Sequence, residues 1–432
     1  LWRSFAVGSN GFQKVLLANV EKESSHTLKT YKSGGGYKAL AKALGKMEPG
    51  AVIEEVKNAG LRGRGGAGFP AGLKWKFASG EKATPKYIVC NADEGEPGTF
   101  KDRQIIMGDP HMLIEGMIIA GFAVGATRGM VYIRGEYPFG FDRLVEAVAE
   151  ARKDGMLGEK ILGSDFSFDL GIHMGAGAYV CGEETSLIES MEGQRGQPRI
   201  RPPFPVNKGY LGLPTVVNNV ETLANVPHII QKGADWYKGI GPENCPGPKI
   251  FSISGHVKKP GVYELPMGTP LREIIYDHAG GMREDRKLKA VIPGGISTPV
   301  ILPEHIDTPM DFDSLPKVDS MFGSGAIIVM DETTCMVKVS WRTLKFFVHE
   351  SCGKCTPCRV GNTVLLDFLE KILRGDGAKK EDIDAIESLC KDIMGNTFCP
   401  LGDGSPFHLR SVLKYFRDEF VHHIEKGACD IG

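Results

Sequence analysis

Three cysteines spaced two residues apart occupy Ser351-Cys352-Gly353-Lys354-Cys355-Thr356-Pro357-Cys358-Arg359, and Cys399 follows about forty residues later. A fold of this chain can wrap the first three around one centre, with Cys399 as the candidate fourth ligand. Thiolates two residues apart reach three corners of a cubane, whereas structural zinc usually takes two separated pairs, each on its own turn. The spacing therefore favours iron and sulfur at Cys352, Cys355, Cys358 and Cys399, with a zinc site and inert buried thiols as the alternatives. Lys354 and Arg359 lie beside the thiolates, where their charge offsets a net negative cluster or simply lines a solvated helix face. Ten cysteines, three of them so crowded, resemble metal ligation in a reducing compartment more than a secreted disulfide framework. Cytoplasm or an equivalent reducing interior is expected. Cys90 and Cys390 read as small buried hydrophobes, and Cys181 sits among motif residues without needing to act. Cys335 and Cys429 lie near domain or chain ends, and Cys429 opens a further cluster motif only if the natural chain continues.

A chain of 432 residues exceeds one compact core and implies two or three domains. Its 52 basic and 53 acidic residues leave no excess charge to draw nucleic acid or an anionic membrane. The most apolar run, 112–126, carries Glu115 and three glycines and falls short of the roughly 20 residues of a membrane span. It reads as a buried helix, and no direct membrane insertion is expected. The sequence opens Leu1-Trp2-Arg3-Ser4 with no initiator methionine and no signal-peptide pattern, which leaves the natural start undetermined.

From about 34 to 226 helical stretches alternate with short strand-like runs, the pattern of an α/β domain on a largely parallel sheet. Residues 86–90 form the clearest strand. Asp109-Pro110 offers an N-cap and a first-turn proline for the apolar helix, 130–133 reads as the next strand, and helices are expected at 141–153 and 182–192. Proline and glycine at 244–248 mark a boundary. Beyond it, strands at 249–253 and 261–265 flank a Lys-Lys-Pro-Gly turn and a short helix covers 271–278, a small β-grasp-like unit. From Ser340 the apolar spacing at Leu365, Phe368, Leu369 and Ile372 predicts a helical bundle. The domains are thus expected at 1–244, 245–332 and 333–432.

Gly63-Arg64-Gly65-Gly66-Ala67-Gly68 matches G-x-G-x-x-G, but helical spacing precedes it at 51–58, where a dinucleotide fold requires a strand. The main chain from 63 to 72 can instead lie flat against a planar ring or phosphate, with Arg62, Arg64 and Lys74 supplying charge for an anionic cofactor. A structural glycine turn is the plainer reading. Directly after the best strand, Asn91-Ala92-Asp93-Glu94-Gly95-Glu96-Pro97-Gly98 puts polar and acidic groups where parallel strands meet ligands. Their carboxylates suit ribityl or ribose hydroxyls, or belong to an exposed acidic loop. Tyr179-Val180-Cys181-Gly182-Glu183-Glu184 repeats the theme at a helix start, where acids are also ordinary dipole partners.

In one order along the chain stand Gly60-Leu61-Arg62-Gly63-Arg64-Gly65-Gly66-Ala67-Gly68-Phe69-Pro70, the stretch 91–103, and Gly175-Ala176-Gly177-Ala178-Tyr179-Val180-Cys181-Gly182-Glu183-Glu184. They are followed by Pro202-Pro203-Phe204-Pro205, Val217-Asn218-Asn219-Val220-Glu221-Thr222 and the 351–359 motif. Together they closely resemble the flavin-carrying, NADH-binding subunit of respiratory complex I and its relatives in NAD-linked hydrogenases and formate dehydrogenases. The resemblance implies an α/β FMN- and NADH-binding domain, a β-grasp domain of the soluble-ligand-binding type that braces the subunit, and a helical bundle carrying a 4Fe-4S cluster on Cys352, Cys355, Cys358 and Cys399.

The same resemblance implies an FMN site built from Gly63, Arg64, Gly65, Lys74, Asn91, Asp93, Glu94, Gly182, Glu183, Asn218 and Asn219. It places NAD(H) over the flavin along Gly66, with adenine near Phe69, Phe77 and Phe204, nicotinamide near Glu96 and Tyr179, and adenosine ribose near Glu184, whose charge repels the extra phosphate of NADP. Arg201 stands where the family usually carries lysine, keeping the charge but not the shape. The implied activity is that of an NADH dehydrogenase with diaphorase chemistry: hydride to FMN, then single electrons to the cluster, with no side chain as nucleophile or general base. The implied partners are a thioredoxin-like 2Fe-2S subunit and a larger ferredoxin-domain subunit in a hetero-oligomeric complex. The same module would serve an electron-bifurcating or NAD-linked hydrogenase or formate dehydrogenase. A non-enzymatic, zinc-stabilised scaffold is the remote alternative and leaves the glycine loop and both acid signatures unexplained.

Overall fold

The structure, a computed structural model, describes residues 12–429; the opening Leu1-Trp2-Arg3-Ser4 lies outside them. Helices α1 (Leu28–Ser33), α2 (Lys38–Lys46), α3 (Pro49–Asn58) and α4 (Ala71–Ser79) precede β1 (Tyr87–Ala92). Then come α5 (Asp102–Gly108), α6 (Pro110–Val124), β2 (Arg128–Ile133), α7 (Pro138–Lys153), β3 (Asp169–Met174), α8 (Glu184–Met191), α9 (Pro205–Lys208), β4 (Thr215–Asn219), α10 (Val220–Lys232) and α11 (Ala234–Lys238). The four strands are parallel in the order β3-β2-β1-β4. The expected strands at 86–90 and 130–133 fall within or beside β1 and β2, and β1 runs on because Asn91 and Ala92 pair with Tyr132 and Ile133. The chain adds β2 and β3 on one side of β1 and β4 on the other. Such a reversal opens a crevice beyond the carboxyl ends of the strands.

The apolar run forms α6, which is buried along its length apart from Phe122. Gly116 lets it approach α10 closely, since a Cβ there would stand 2.1 Å from the Leu223 carbonyl oxygen. Glu115 is kept in this interior because it accepts the main-chain N–H groups of Tyr37 and Leu40, each at 2.8 Å, and the Tyr31 hydroxyl. The expected Asp109 cap is corrected: its side chain does not bond the helix start but accepts from Asn19 Nδ2 at 2.8 Å. Among the described residues no single helix is long and apolar enough to cross a membrane.

Strands β5 (Pro248–Gly255), β6 (Gly261–Pro266), β7 (Leu288–Ile292) and β8 (Ala326–Asp331) form a second sheet in the order β6-β5-β8-β7, with β5 and β8 parallel at its centre and antiparallel partners outside. This is a β-grasp arrangement. The expected helix at 271–278 is only α12 (Leu271–Glu273) running into a wider turn, Ile274–His278. The remainder is the helical bundle α13 (Met336–Glu350), α14 (Asn362–Arg374), α15 (Lys380–Ile393) and α16 (Pro400–Lys426), which begins before Ser340. Leu365, Leu369 and Ile372 are buried in it.

A buried ion network joins the first sheet's helices to the second sheet. Glu221 on α10 lies 2.8 Å from both Lys101 Nζ and Lys249 Nζ and accepts the Ile250 N–H at 2.8 Å. Lys101 also pairs with Asp102 at 2.6 Å.

Candidate functional site

Strands β1 and β4 end side by side, with Asn91 in register with Asn219. The glycine loop crosses this end, anchored by Gly63 N–H to the Phe69 carbonyl at 2.9 Å and by Arg64 N–H to Thr222 Oγ1 at 2.8 Å. A Cβ on Gly65 would lie 3.1 Å from the Asn219 side chain. The opposite wall is a tight turn at Tyr179–Gly182, tied to β1 by Asn91 Nδ2 donating to the Gly182 carbonyl at 2.8 Å. Glu183 then caps α8 by accepting from Thr185 N–H at 3.0 Å and Ser186 N–H at 2.9 Å. That cap explains why the helix expected from 182 starts at Glu184.

Around this crevice stand groups suited to a hydroxyl-rich ligand. Asp93 Oδ2 and Glu183 Oε1 are buried without hydrogen-bond partners. A buried acceptor left so costs stability until something donates to it. Burial lifts the Asp93 carboxyl to about 7. Lys74 Nζ donates to Glu184 at 3.0 Å and to the Val217 carbonyl at 3.1 Å, and Arg201 Nη1 lies 3.7 Å from Glu183 and 3.8 Å from Glu184. Tyr179 donates its hydroxyl to Glu96, which also accepts Ser297 N–H at 2.8 Å. Phe69, Phe77 and Phe204 keep 44%, 50% and 49% of their surface exposed. Gly66 adopts φ of 134°, a left-handed conformation that a side chain would strain.

Several expected contacts go elsewhere. Arg62 pairs with Asp313 at 3.0 Å and lies over the Phe312 ring, so its charge serves the β-grasp unit rather than a cofactor. The Arg64 guanidinium is buried beneath the loop, donating to the Pro246 carbonyl at 2.7 Å and the Tyr237 hydroxyl at 3.0 Å. Glu94 is not an open acceptor: it takes Asp102 N–H at 2.8 Å and the Tyr137 hydroxyl at 3.0 Å. Asn218 accepts from Trp75 Nε1 at 2.8 Å, and Asn219 caps α10 through Glu221 N–H at 3.0 Å while donating to Asp102 at 2.7 Å. The starts of α5 and α10 need capping acceptors, and that need absorbs Glu94 and Asn219. Sequence reasoning missed Trp75, Arg134, Ser297 and Glu350. Arg134 was within reach of it, since it follows β2 directly at the same edge of the sheet.

The thiols lie next to this crevice. Tyr179 N–H donates at 3.0 Å to Glu350, the last residue of α13, and Cys352 follows two residues on. Arg195 donates to the Cys352 carbonyl at 2.8 Å and Lys354 to the Pro198 carbonyl at 2.6 Å, tying the cysteine loop to the segment after α8. Cys399 precedes α16 and is buried, and that burial pushes its thiol up to about 12. Among the described residues no three of the four sulfurs lie within 4.8 Å of one another. A lone zinc with bonds of about 2.3 Å would hold its sulfurs about 3.8 Å apart, which this set does not do. Cys90 and Cys390 are fully buried, as expected of packing thiols.

Models of three families match in the order of these parts: the Nuo51 FMN-binding domain at 56–228, the SLBB domain at 249–329, and the NADH-ubiquinone oxidoreductase-F iron-sulfur binding region at 338–423. The chain is 56% identical to the F subunit numbered 2 of NADH-quinone oxidoreductase in Rhizobium meliloti (strain 1021), over 97% of this chain and 99% of that one. The chain belongs to the family of NADH-quinone oxidoreductase F subunits. Another F subunit, that of Mycobacterium tuberculosis (strain ATCC 25618 / H37Rv), is 49% identical over 96% of this chain and 94% of its own length. A subunit of an NADP-reducing hydrogenase from Solidesulfovibrio fructosivorans is also 49% identical, over 91% of this chain and 80% of its own. A solved NAD+-reducing [NiFe]-hydrogenase in the H2-reduced state superposes with a TM-score of 0.85 at 35% identity, covering 98% of this chain and 68% of that chain.

Proposed function

We propose that this member of the family is the NADH-oxidising module of a hetero-oligomeric redox complex, binding FMN and NADH in the β1–β4 crevice and a 4Fe-4S cluster on Cys352, Cys355, Cys358 and Cys399. When bound, FMN supplies hydride acceptance and the cluster single-electron transfer outward. The observation that carries the reading is the contact between the crevice wall and the thiol loop: Tyr179 N–H donates at 3.0 Å to Glu350, two residues before Cys352, whose carbonyl accepts from Arg195 at 2.8 Å. Asp93 and Glu183 offer acceptors for flavin hydroxyls, the glycine loop offers a flat face, and Lys74 adds charge. Glu96 and Tyr179 position the nicotinamide, the three exposed phenylalanines receive the adenine, and Glu184 faces the adenosine ribose. The β-grasp unit takes part as well, because Ser297 fixes the Glu96 carboxylate.

We assign the partners as a thioredoxin-like 2Fe-2S subunit and a larger ferredoxin-domain subunit, the setting as a reducing compartment, and the units as 1–244, 245–332 and 333–432. The decisive experiment reconstitutes the chain with FMN and adds NADH without oxygen. Bleaching of the flavin absorbance supports the reading; an unchanged flavin spectrum refutes it.

Two consequences are specific. Removing the Glu184 charge by Glu184→Ala frees Lys74 and Arg201 to meet a ribose phosphate, so the NADPH-to-NADH ratio of kcat/KM should rise about tenfold, roughly 1.4 kcal/mol. Steady-state kinetics with both nucleotides checks it. Because Asp93 titrates near 7 and binds donors best when ionised, FMN affinity of the apoprotein should strengthen as pH rises toward 7 and then level off. Below that point each pH unit costs up to about tenfold. Asp93→Asn should flatten the profile in fluorescence titrations.

A further inference from the structure

Outside the four cysteines of the cluster motif, a second set of metal-type ligands comes together at the opposite end of α13. Cys335, His423 and Cys429 each offer one donor atom, and the three donors all lie within 4.8 Å of one another. Cys335 Sγ is 3.3 Å from His423 Nε2. Cys335 and His423 are buried and Cys429 is half-buried. We propose that these three residues bind a zinc ion that clasps the two ends of the helical bundle.

Each ligand reaches the site for a reason written in its local structure. Cys335 is the N-cap residue of α13 and is buried. His423 lies in the last turn of α16. That helix ends at Gly427, whose left-handed φ of 65° turns the chain while its N–H bonds the His423 carbonyl at 2.9 Å. A Cβ on Gly375, which caps α14, would stand 3.0 Å from Gly427 Cα, so the turn is seated against the bundle and not free to swing. Two residues later Cys429 arrives opposite Cys335. The sequence offered Cys429 as the possible start of another cluster motif; the structure instead turns it inward.

Two thiolates and an imidazole are a borderline-soft donor set that suits zinc. The spacing also differs in kind from that of the cluster motif, whose sulfurs do not converge this closely. The two sites are separate, because α13 spans 15 residues, about 22 Å at 1.5 Å per residue. Glu419 on α16 is already used by Met336 N–H at 2.8 Å and Lys289 at 2.6 Å. The fourth position is left to water or to a side chain of a partner subunit. The role is structural: the ion ties the start of α13 to the end of the last helix.

The test uses the full chain carrying its FMN and iron. After exposure to equimolar zinc and desalting, metal analysis should find about one zinc per chain beside the iron. Cys429→Ser, a change near the chain end and remote from the cluster, should weaken zinc retention at least tenfold, the lower bound for losing a group that merely orients a ligand being roughly 10-fold. Iron content and NADH-dependent flavin bleaching should not change. Cobalt in place of zinc should give a near-ultraviolet thiolate charge-transfer band that the same variant loses. Absence of zinc from iron-replete protein would overturn the proposal, as would equal zinc in the variant. An intact mass lowered by a Cys335–Cys429 disulfide in protein kept under reducing conditions would overturn it too.

Discussion

Gly65→Ala should leave the chain folded and iron-bound but strip it of flavin, with FMN affinity lowered about 100-fold, roughly 2.7 kcal/mol. The backbone at Gly65 is not in the left-handed region, so alanine brings no conformational strain there and the whole effect must come from space. The new methyl would sit 3.1 Å from the Asn219 side chain. Asn219 cannot retreat, since its amide both caps α10 and holds Asp102. The loop must therefore shift by a few tenths of an ångström, and the direction left to it is outward, into the space assigned to the ring. Gly65→Val should do more. Flavin content by absorbance after acid release, measured beside iron content, separates the two cofactors. Retention of FMN at the level of the unaltered protein would mean that the flavin does not lie on this loop.

The elements that were legible in the sequence are those whose signal is local. The strand before Asn91, the wholly apolar α6 and the hairpin around Lys258-Lys259-Pro260-Gly261 each declare themselves within a dozen residues, because burial on both faces or a tight turn demands a particular composition. The cysteine run at 351–359 stands out for a similar reason, since its spacing is the one an iron-sulfur ligand set requires. What could not be read is direction. Glu94 and Asn219 look identical on paper to Asp93 and Asn91, yet the first pair is absorbed by the starts of α5 and α10, and only Asp93 keeps a buried oxygen without a donor. Arg62 went to Asp313, 251 residues away, and no local pattern forecasts such a pairing. Ser297 was missed for the same reason: its use is its main-chain N–H, which carries no sequence signature.

That non-local stitching has its own consequence. The crevice keeps its shape because α10, which Asn219 caps, is fastened to β5 through Glu221, and Glu221 is fully buried between two ammonium groups. The lysines hold its carboxyl at about 2, well below its ordinary 4.5, while burial drags Lys249 down to about 7 despite the carboxylate. Glu221 is therefore the charge that keeps the network together. A shift of that size corresponds to about 3 kcal/mol. The sign follows from the depressed value: the contribution is complete above pH 4.5 and is lost as pH falls from there through 2. Glu221→Gln leaves two buried lysines with only Asp102 between them, and breaking a buried pair from one side costs about 3–5 kcal/mol. We expect the melting temperature at pH 7 to fall by about 10 °C, with faster proteolysis between 233 and 247 and weaker FMN retention, since Asn219 loses its anchored helix. The double change Glu221→Leu with Lys249→Met should recover much of the loss, because an apolar pair needs no counter-charge. Calorimetry across pH 3–8 decides the matter: an unaltered melting temperature in Glu221→Gln would show that the network stabilises nothing and that the crevice is held by packing alone.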